Sequence, residues 1–316
     1  YARIVWCRIP FAAANLRTAL ASVSSNLGLI VVGYIFLALA FAWSILWTVT
    51  CGGALKSVGL AALFFFLLSY YWVHQVLQNS MHVTTAGVIG TWWFVPSEAI
   101  SCCSSALYDS FYRTITVSFG SICFGSFLVA LVKALRAMHR ILRQRDDCSI
   151  VMCLIDCILG CIQGIIEYLN KWAYVYVGLY GYGYVDAGRN VIQLFQNKGW
   201  STIVTDDLVD NVLFMISTTI SLLTGLVGMA LSSFNPKIFA NLDLGEDTSA
   251  ATVGFTLGFL VGFLFSSIMM SIVASAVNTV IVCFAEAPAE FDQNHPQLSE
   301  EMRTAWRQAW PDSAGI

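Results

Sequence analysis

The sequence predicts an all-α fold, a polytopic bundle of transmembrane helices. Hydrophobic residues make up 58% of the 316 positions and charged residues only 11%, a balance typical of membrane proteins rather than soluble domains. The apolar residues fall into long runs, several of about 20 residues, which is the length that a helix needs to cross a bilayer. Basic residues form no stripe along a polar helix, so nucleic acid is not an expected partner.

Six spans are expected, and the second is among the longest. They cover residues 27–49, 60–94, 115–135, 150–168, 213–231 and 251–284. A basic, apolar lead-in over residues 1–20 is expected to lie at the membrane interface, and with the spans it forms a transmembrane domain at residues 1–285. Residues 286–316 are polar and are expected to form a cytosolic C-terminal tail, with an amphipathic helix near Met302–Trp310.

Two stretches between the fourth and fifth spans have a different composition. Glycines and tyrosines alternate within residues 170–184, which favours a re-entrant segment or a helix corner buried in protein. Residues 187–210 are amphipathic and partly charged, so they are expected to form an interfacial connector.

The basic residues lie in two groups. One, with Arg3, Arg8 and Arg17, precedes the first span, and the other runs from Lys133 to Arg145 after the third. The positive-inside rule places both groups in the cytosol, whereas strict alternation of the spans places them on opposite sides. An extra crossing, made by residues 83–94 or by the tyrosine–glycine stretch, would remove this conflict.

The second span changes character along its length. Residues 60–69 are apolar, but the residues that follow include two histidines, two glutamines, an asparagine and two threonines. An uncompensated polar group in hydrocarbon costs on the order of a few kcal/mol, so these side chains are expected to face the bundle interior or a water-filled path. Spacings of three and four residues place one set on a single helix face, beside the aromatic ring of Trp72. This set is Tyr71, Gln75, Gln78, Asn79, His82 and Thr85.

Small residues mark positions where helices are expected to approach closely. Gly254, Gly258 and Gly262 recur every four residues on one face of the last span. Gly120 and Gly125 lie among serines in the third span and are assigned the same role.

The sequence contains no constellation typical of an enzyme. It has no nucleophile–base signature, phosphate-binding loop or paired metal motif, so no enzymatic activity, cofactor or metal is expected. Four cysteines repeat along one helix and therefore cannot all converge on one ion. They are Cys148, Cys153, Cys157 and Cys161.

Five short motifs, in this order along the chain, resemble the choline transporter-like family. They are Arg8–Asn15, Gln75–Gly87, Phe119–Ser126, Tyr174–Gly181 and Val277–Glu286. The similarity covers nearly the whole chain, and its details look closest to the fungal and protist branch, the pH-nine-sensitive proteins.

The resemblance implies a fold of about ten membrane helices with both termini in the cytosol, of which this chain would form the later, C-terminal part. It also implies facilitated transport of choline, or of ethanolamine in some members, across the plasma membrane. Where the family usually carries an aspartate in the last span, this chain has Asn278. Any role that requires the charge of that carboxylate is therefore not expected here.

Three functions fit these observations. The leading one is a carrier that transports choline or a related small organic cation by alternating exposure of a site at the bilayer midplane. Aromatic faces would hold the quaternary ammonium and one polar group its hydroxyl, and Tyr71, Trp72, Gln75 and Asn79 suit that task. The alternatives are a channel or lipid-handling protein with a polar path, and a structural or regulatory protein whose polar stripe only joins helices.

Overall fold

A computed structural model describes residues 8–54, 60–143, 150–198, 208–234 and 249–310. These residues form eleven α-helices and one short 3₁₀ turn at Pro96–Glu98, which confirms the all-α prediction. The helices are α1 Ile9–Ser25, α2 Gly28–Ala54, α3 Leu60–Phe94, α4 Ser105–Ile115, α5 Phe119–Arg143, α6 Ile150–Tyr180, α7 Tyr184–Lys198, α8 Leu208–Phe234, α9 Ala250–Glu286, α10 Pro288–Asn294 and α11 Pro296–Ala309.

Five of the described helices, α2, α5, α6, α8 and α9, are long and apolar enough to cross a membrane. The sixth expected span is α3, whose 35 residues exceed the length that a crossing needs. The apolar run of α3 ends at Ser69, and the predicted polar residues lie near the middle of the helix, between His74 and Thr85. The expected sequence of crossings therefore corresponds to six long helices, one of which has a polar middle segment.

The α3 helix lies at the centre of the bundle, where it packs against α2, α4, α5, α6 and α9. Its C-terminal half is tightly packed, since Val88, Ile89 and Trp93 are fully buried. Gly87 faces Ser110 of α4, and Gly90 faces Leu179 of α6. The glycines therefore allow close packing, and α3 continues through them without a break.

The tyrosine–glycine stretch differs from its prediction. It is neither a re-entrant segment nor a corner up to Tyr180, because α6 continues to that residue without interruption. The glycine at position 178 lets this part of α6 pack directly against α3 as a continuous helix. A Cβ there would lie 2.6 Å from the Cβ of Ala86 on α3. The helix ends at Gly181, whose φ of 72° lies in the left-handed region that glycine adopts without strain.

Contacts between the helices show their relative directions. The C-terminal ends of α3, α6 and α9 lie together: the Trp93 indole N–H donates to the Ala287 carbonyl at 3.0 Å, and Gly178 contacts Ala86. The helices α2, α5 and α8 run the opposite way, so α5 ends at the other end of the bundle. The end of α5 at Arg143 and the Arg17 side chain of α1 therefore lie at opposite ends of the bundle, and neither α3 nor α6 makes the extra crossing.

The residues after Glu286 cap the C-terminal end of α3. The rings of Phe291 and Trp93 stack with centroids 4.0 Å apart, and those of His295 and Trp92 stack at 3.8 Å. The Asn294 amide donates to the carbonyls of Trp93 and Phe94 at 2.8 and 3.1 Å, which satisfies helix-end acceptors that α3 cannot satisfy itself. The helix expected near Met302–Trp310 is part of α11, which packs on α1.

The last two long helices form the most extensive pair in the bundle. At Gly254, Gly258 and Gly262, α9 approaches the backbone and small side chains of α8 so closely that a Cβ would clash with Gly228 or Thr224. Gly125 similarly faces the rings of Tyr174 and Tyr184. Gly120 differs from these glycines, because the space around it is open.

Gly258→Ala is expected to lower the stability of the bundle by about 1–3 kcal/mol, because overpacking forces backbones apart. The added methyl would lie 2.5 Å from the Thr224 carbonyl oxygen. Gly120→Ala is the matched control and is expected to leave stability unchanged or raise it slightly through helix propensity. Thermal unfolding in detergent would compare them. Equal stability of the two variants would contradict close backbone packing between α8 and α9.

Candidate functional site

A cavity of about 350 Å³ lies beside the polar middle segment of α3, where α3, α5, α6, α8 and α9 meet. Four of the seven polar or aromatic residues singled out on α3 line this cavity: Gln75, Gln78, Asn79 and His82. The other helices contribute Val129, Lys133, Glu167, Asn170, Lys171, Tyr174, Asp210, Ser271, Ala274, Ser275 and Asn278.

His82 joins three helices at the cavity wall. Its Nδ1 lies 2.7 Å from the Ser275 hydroxyl on α9, and its Nε2 lies 2.9 Å from the Lys171 carbonyl on α6. The carbonyl can only accept, so Nε2 carries a proton and donates to it. Because both ring nitrogens are engaged with neighbouring helices, the imidazole holds α3, α6 and α9 in register around the cavity.

Asn79 belongs to a second network, between α3, α5 and α6. Its amide nitrogen lies 2.9 Å from the Ser126 hydroxyl and 3.5 Å from the Tyr174 hydroxyl. The Tyr174 hydroxyl donates in turn to the Ile122 carbonyl at 3.2 Å. These contacts fix the tyrosine ring against α5, and both Asn79 and Tyr174 line the cavity.

Asn170 extends this network towards α7. Its amide donates to the Gly125 carbonyl at 3.3 Å, and its oxygen accepts a hydrogen bond from the Tyr184 hydroxyl. Burial raises the pKa of the Tyr184 hydroxyl, so this group stays protonated and acts as the donor. The network connects the cavity wall to the start of α7.

The remaining three predicted residues of α3 do not line this cavity. Trp72 faces α5, where its indole N–H donates to the Cys123 carbonyl at 3.0 Å and its ring contacts Phe127. The Tyr71 ring contacts Tyr70, and the buried Thr85 hydroxyl donates to the Met81 carbonyl at 2.9 Å. Spacing places residues on a face but does not show which neighbour that face meets. Among the described residues that line the cavity, Tyr174 is the aromatic one.

Two ion pairs also line the cavity. The residue pattern of α3 could not indicate them, because their members lie on other helices. Lys133 Nζ on α5 lies 2.9 Å from the Glu167 carboxylate on α6, and Lys171 Nζ on α6 lies 2.9 Å from the Asp210 carboxylate on α8. Asp210 had been assigned only to the interfacial connector over residues 187–210, of which residues 199–207 lie outside the described part.

The charged residues of α5 and α6 form a ladder that continues away from the cavity. Beyond the Lys133–Glu167 pair, Arg136 donates to Asp156 at 2.9 Å and to Gln163 at 3.2 Å. The sequence carries a signal for this ladder, since its members are three, four or seven residues apart on each helix, spacings that return to one helix face. On α5 these are Lys133, Arg136 and Arg140, and on α6 they are Asp156, Gln163 and Glu167.

A smaller cavity of about 30 Å³ adjoins the first on the side of α1. Lys171, Asp210 and Asn278 line both cavities, and Asn15 of α1 lines the smaller one. The Asn15 Oδ1 atom is buried and has no hydrogen-bond partner within the described residues. The smaller cavity is large enough for about one water molecule, which would satisfy this oxygen. The Lys171–Asp210 pair thus lies in the wall that the main cavity shares with the smaller cavity under α1.

The cysteines of α6 do not combine with other side chains into a metal site. Within the described ranges, no three histidine, cysteine, aspartate or glutamate side chains converge on a point that could hold a metal ion. Cys153, Cys157 and Cys161 are exposed along α6, and Cys148 lies outside the described residues.

Comparison with known proteins shows a family match over most of the chain. A family model described as plasma-membrane choline transporter matches residues 1–289. A CTL-like protein of Dictyostelium discoideum is 27% identical over 236 residues, which are 71% of this chain and 42% of that protein. Protein PNS1 of Mycosarcoma maydis is 31% identical over 198 residues, 60% of this chain and 36% of that protein. Protein PNS1 of Cryptococcus neoformans var. neoformans is 30% identical over 233 residues, which are 65% of this chain and 42% of that protein. The chain thus matches less than half of each relative's length.

His82→Ala is expected to lower the thermal stability of the protein more than His74→Ala. His82 engages two neighbouring helices, whereas His74 lies 2.9 Å from one hydroxyl, that of Ser44 on α2. Leaving buried hydrogen-bonding groups unsatisfied costs about 1–3 kcal/mol for each group. Unfolding midpoints of both variants in one detergent would provide the comparison. A larger loss for His74→Ala would contradict the assigned role of His82.

Proposed function

Because this chain belongs to the plasma-membrane choline transporter family, we propose that it transports choline or a related small organic cation across a membrane. The transport step is alternating exposure of the main cavity to the two sides of the bilayer, and the plasma membrane is the proposed location. The observation that carries the proposal is the polar cavity of about 350 Å³ in the middle of a bundle of apolar helices. Its volume falls in the range of about 300–1,000 Å³ that is typical of small-molecule sites.

The composition of the cavity wall supports a path for a polar solute. Ionisable residues inside a membrane bundle are costly, and they commonly mark substrate or ion pathways. This wall contains two lysines and two carboxylates, together with amide groups from Gln75, Gln78 and Asn278. A protein in which polar residues only joined helices would not need to leave a space among them. We therefore favour the carrier over a purely structural role.

The groups in the cavity match the chemistry of an amino alcohol. A quaternary ammonium offers no N–H donor, so it is held by aromatic faces and by negative charge. Glu167 and Asp210 supply negative charge in the cavity wall, whereas the Tyr174 ring is buried against His82 and Tyr184. A hydroxyl group requires one polar partner, and the amides of Gln75 and Gln78 are available as partners. The aromatic faces predicted at Tyr71 and Trp72 are thus replaced in the proposal by the two carboxylates.

Ligand binding is tested directly by thermal unfolding of the full-length protein with increasing choline. A ligand that binds the native state raises the unfolding midpoint, by an amount that grows with concentration. Ethanolamine and tetramethylammonium are the comparators, because one keeps the hydroxyl without the methyl groups and the other keeps the charge without the hydroxyl. A rise with choline is expected. No rise with any of the three at millimolar concentration would contradict the proposed substrate class.

Gln75→Ala is expected to reduce choline uptake into proteoliposomes about five- to tenfold, because a polar partner lost from a site typically costs about 1 kcal/mol or somewhat more. Gln75 lines the cavity. Trp72→Phe is the control on the same helix, since Trp72 contacts α5 outside the cavity, and its uptake is expected to match the wild type. The reverse pattern, with uptake lost only in Trp72→Phe, would place the path on the other face of α3.

A further inference from the structure

We propose that the carboxylates of Glu167 and Asp210 bind the ammonium group of the cargo, and that Lys133 and Lys171 neutralise these carboxylates when no cargo is bound. The two lysines would then act as tethered cations that the cargo displaces. This inference rests on the proposed transport function and names the charged groups that act within it. They also decide specificity, because a neutral solute could not displace a lysine.

Both pairs have the same arrangement relative to the cavity. All four side chains line it, and in each pair the nitrogen–oxygen distance is 2.9 Å. The carboxylate is the more exposed member each time: 41% against 24% for Glu167 and Lys133, and 47% against 29% for Asp210 and Lys171. A cation that enters the cavity can therefore reach each carboxylate without first moving the helices.

The chemistry of lysine favours such an exchange. A lysine ammonium is a compact charge on a flexible stem, so it can leave one acceptor for another. Gln78 and Asn278 line the same cavity and can accept its hydrogen bonds once it has moved. Arg136 provides the contrast within the ladder: its guanidinium bonds both Asp156 and Gln163 and lies outside the cavity lining. That forked contact suits a fixed structural pair.

The exchange at Lys171 also concerns the smaller cavity under α1. Lys171 and Asp210 line both the main cavity and the smaller cavity under α1. When the cargo displaces Lys171, a side chain in the wall shared by the two spaces moves. Loading of the site thereby alters this wall on the side of α1, while each carboxylate stays neutralised.

The test is choline binding to full-length Lys133→Met and Lys171→Met proteins, measured by titration calorimetry in detergent. Each variant is expected to bind choline about fivefold more tightly than the wild type, because the cargo no longer has to break a partly exposed ion pair worth about 1 kcal/mol. Glu167→Gln and Asp210→Asn are expected to bind about fivefold or more weakly. Lys133→Arg keeps the charge and is expected to bind no more tightly than the wild type.

Two controls separate exchange from other effects. Arg136→Met removes a positive charge from the same helix interface outside the cavity lining, and it is expected to leave the Kd unchanged. The double variant Lys133→Met with Glu167→Gln leaves no uncompensated carboxylate, so it remains measurable if the single lysine variant folds poorly. It is expected to lose the gain in affinity and to bind more weakly than the wild type.

The possible failures can be told apart. If the wild type binds choline but the lysine variants bind equally or less tightly, the exchange is wrong and the transport proposal stands. If Arg136→Met tightens binding as much as Lys133→Met, the effect is one of overall charge and the exchange is again wrong. If the wild type binds neither choline nor the two comparator cations, both proposals fall.

Discussion

The need to pair polar side chains inside an apolar bundle determines the arrangement of α3 and its neighbours. A polar group without a partner in hydrocarbon costs on the order of a few kcal/mol, so the polar middle segment of α3 requires partners on adjacent helices. His82 meets this need on α6 and α9, and Asn79 meets it on α5 and α6. The same contacts that satisfy these side chains fix the helices around the cavity.

The two halves of α3 have different roles because they are packed differently. The half from Val83 to Trp93 is largely buried and is capped by Asn294, so it anchors the helix at one end of the bundle. The half before Met81 is only partly buried, and there the neighbouring helices diverge enough to leave a cavity. A long helix that is rigidly held at one end and lines a polar space at the other can transmit movement of its neighbours to the site.

The sequence predicted the bundle and the polar helix because both depend on local pattern. Long apolar runs indicate spans, and spacings of three and four residues indicate a helix face. That pattern could not show that Trp72 would meet α5, because the choice of neighbour depends on tertiary packing. The pairing of Asp210 could not be predicted for the same reason. Asp210 lies 39 residues from its partner Lys171, and only the folded chain brings them together.

The ladder between α5 and α6 also explains why the positive-inside rule gave conflicting results for this chain. The rule concerns loop residues near the ends of spans, yet Lys133 and Arg136 lie inside the span that covers Phe119–Leu142. Both are paired with carboxylates of α6 rather than free to interact with lipid headgroups. With these two residues engaged in helix pairing, the basic group that could orient the protein is reduced to Arg140, Arg143 and Arg145. The uninterrupted helices α3 and α6 make no additional crossing, so the chain places this smaller group opposite Arg17.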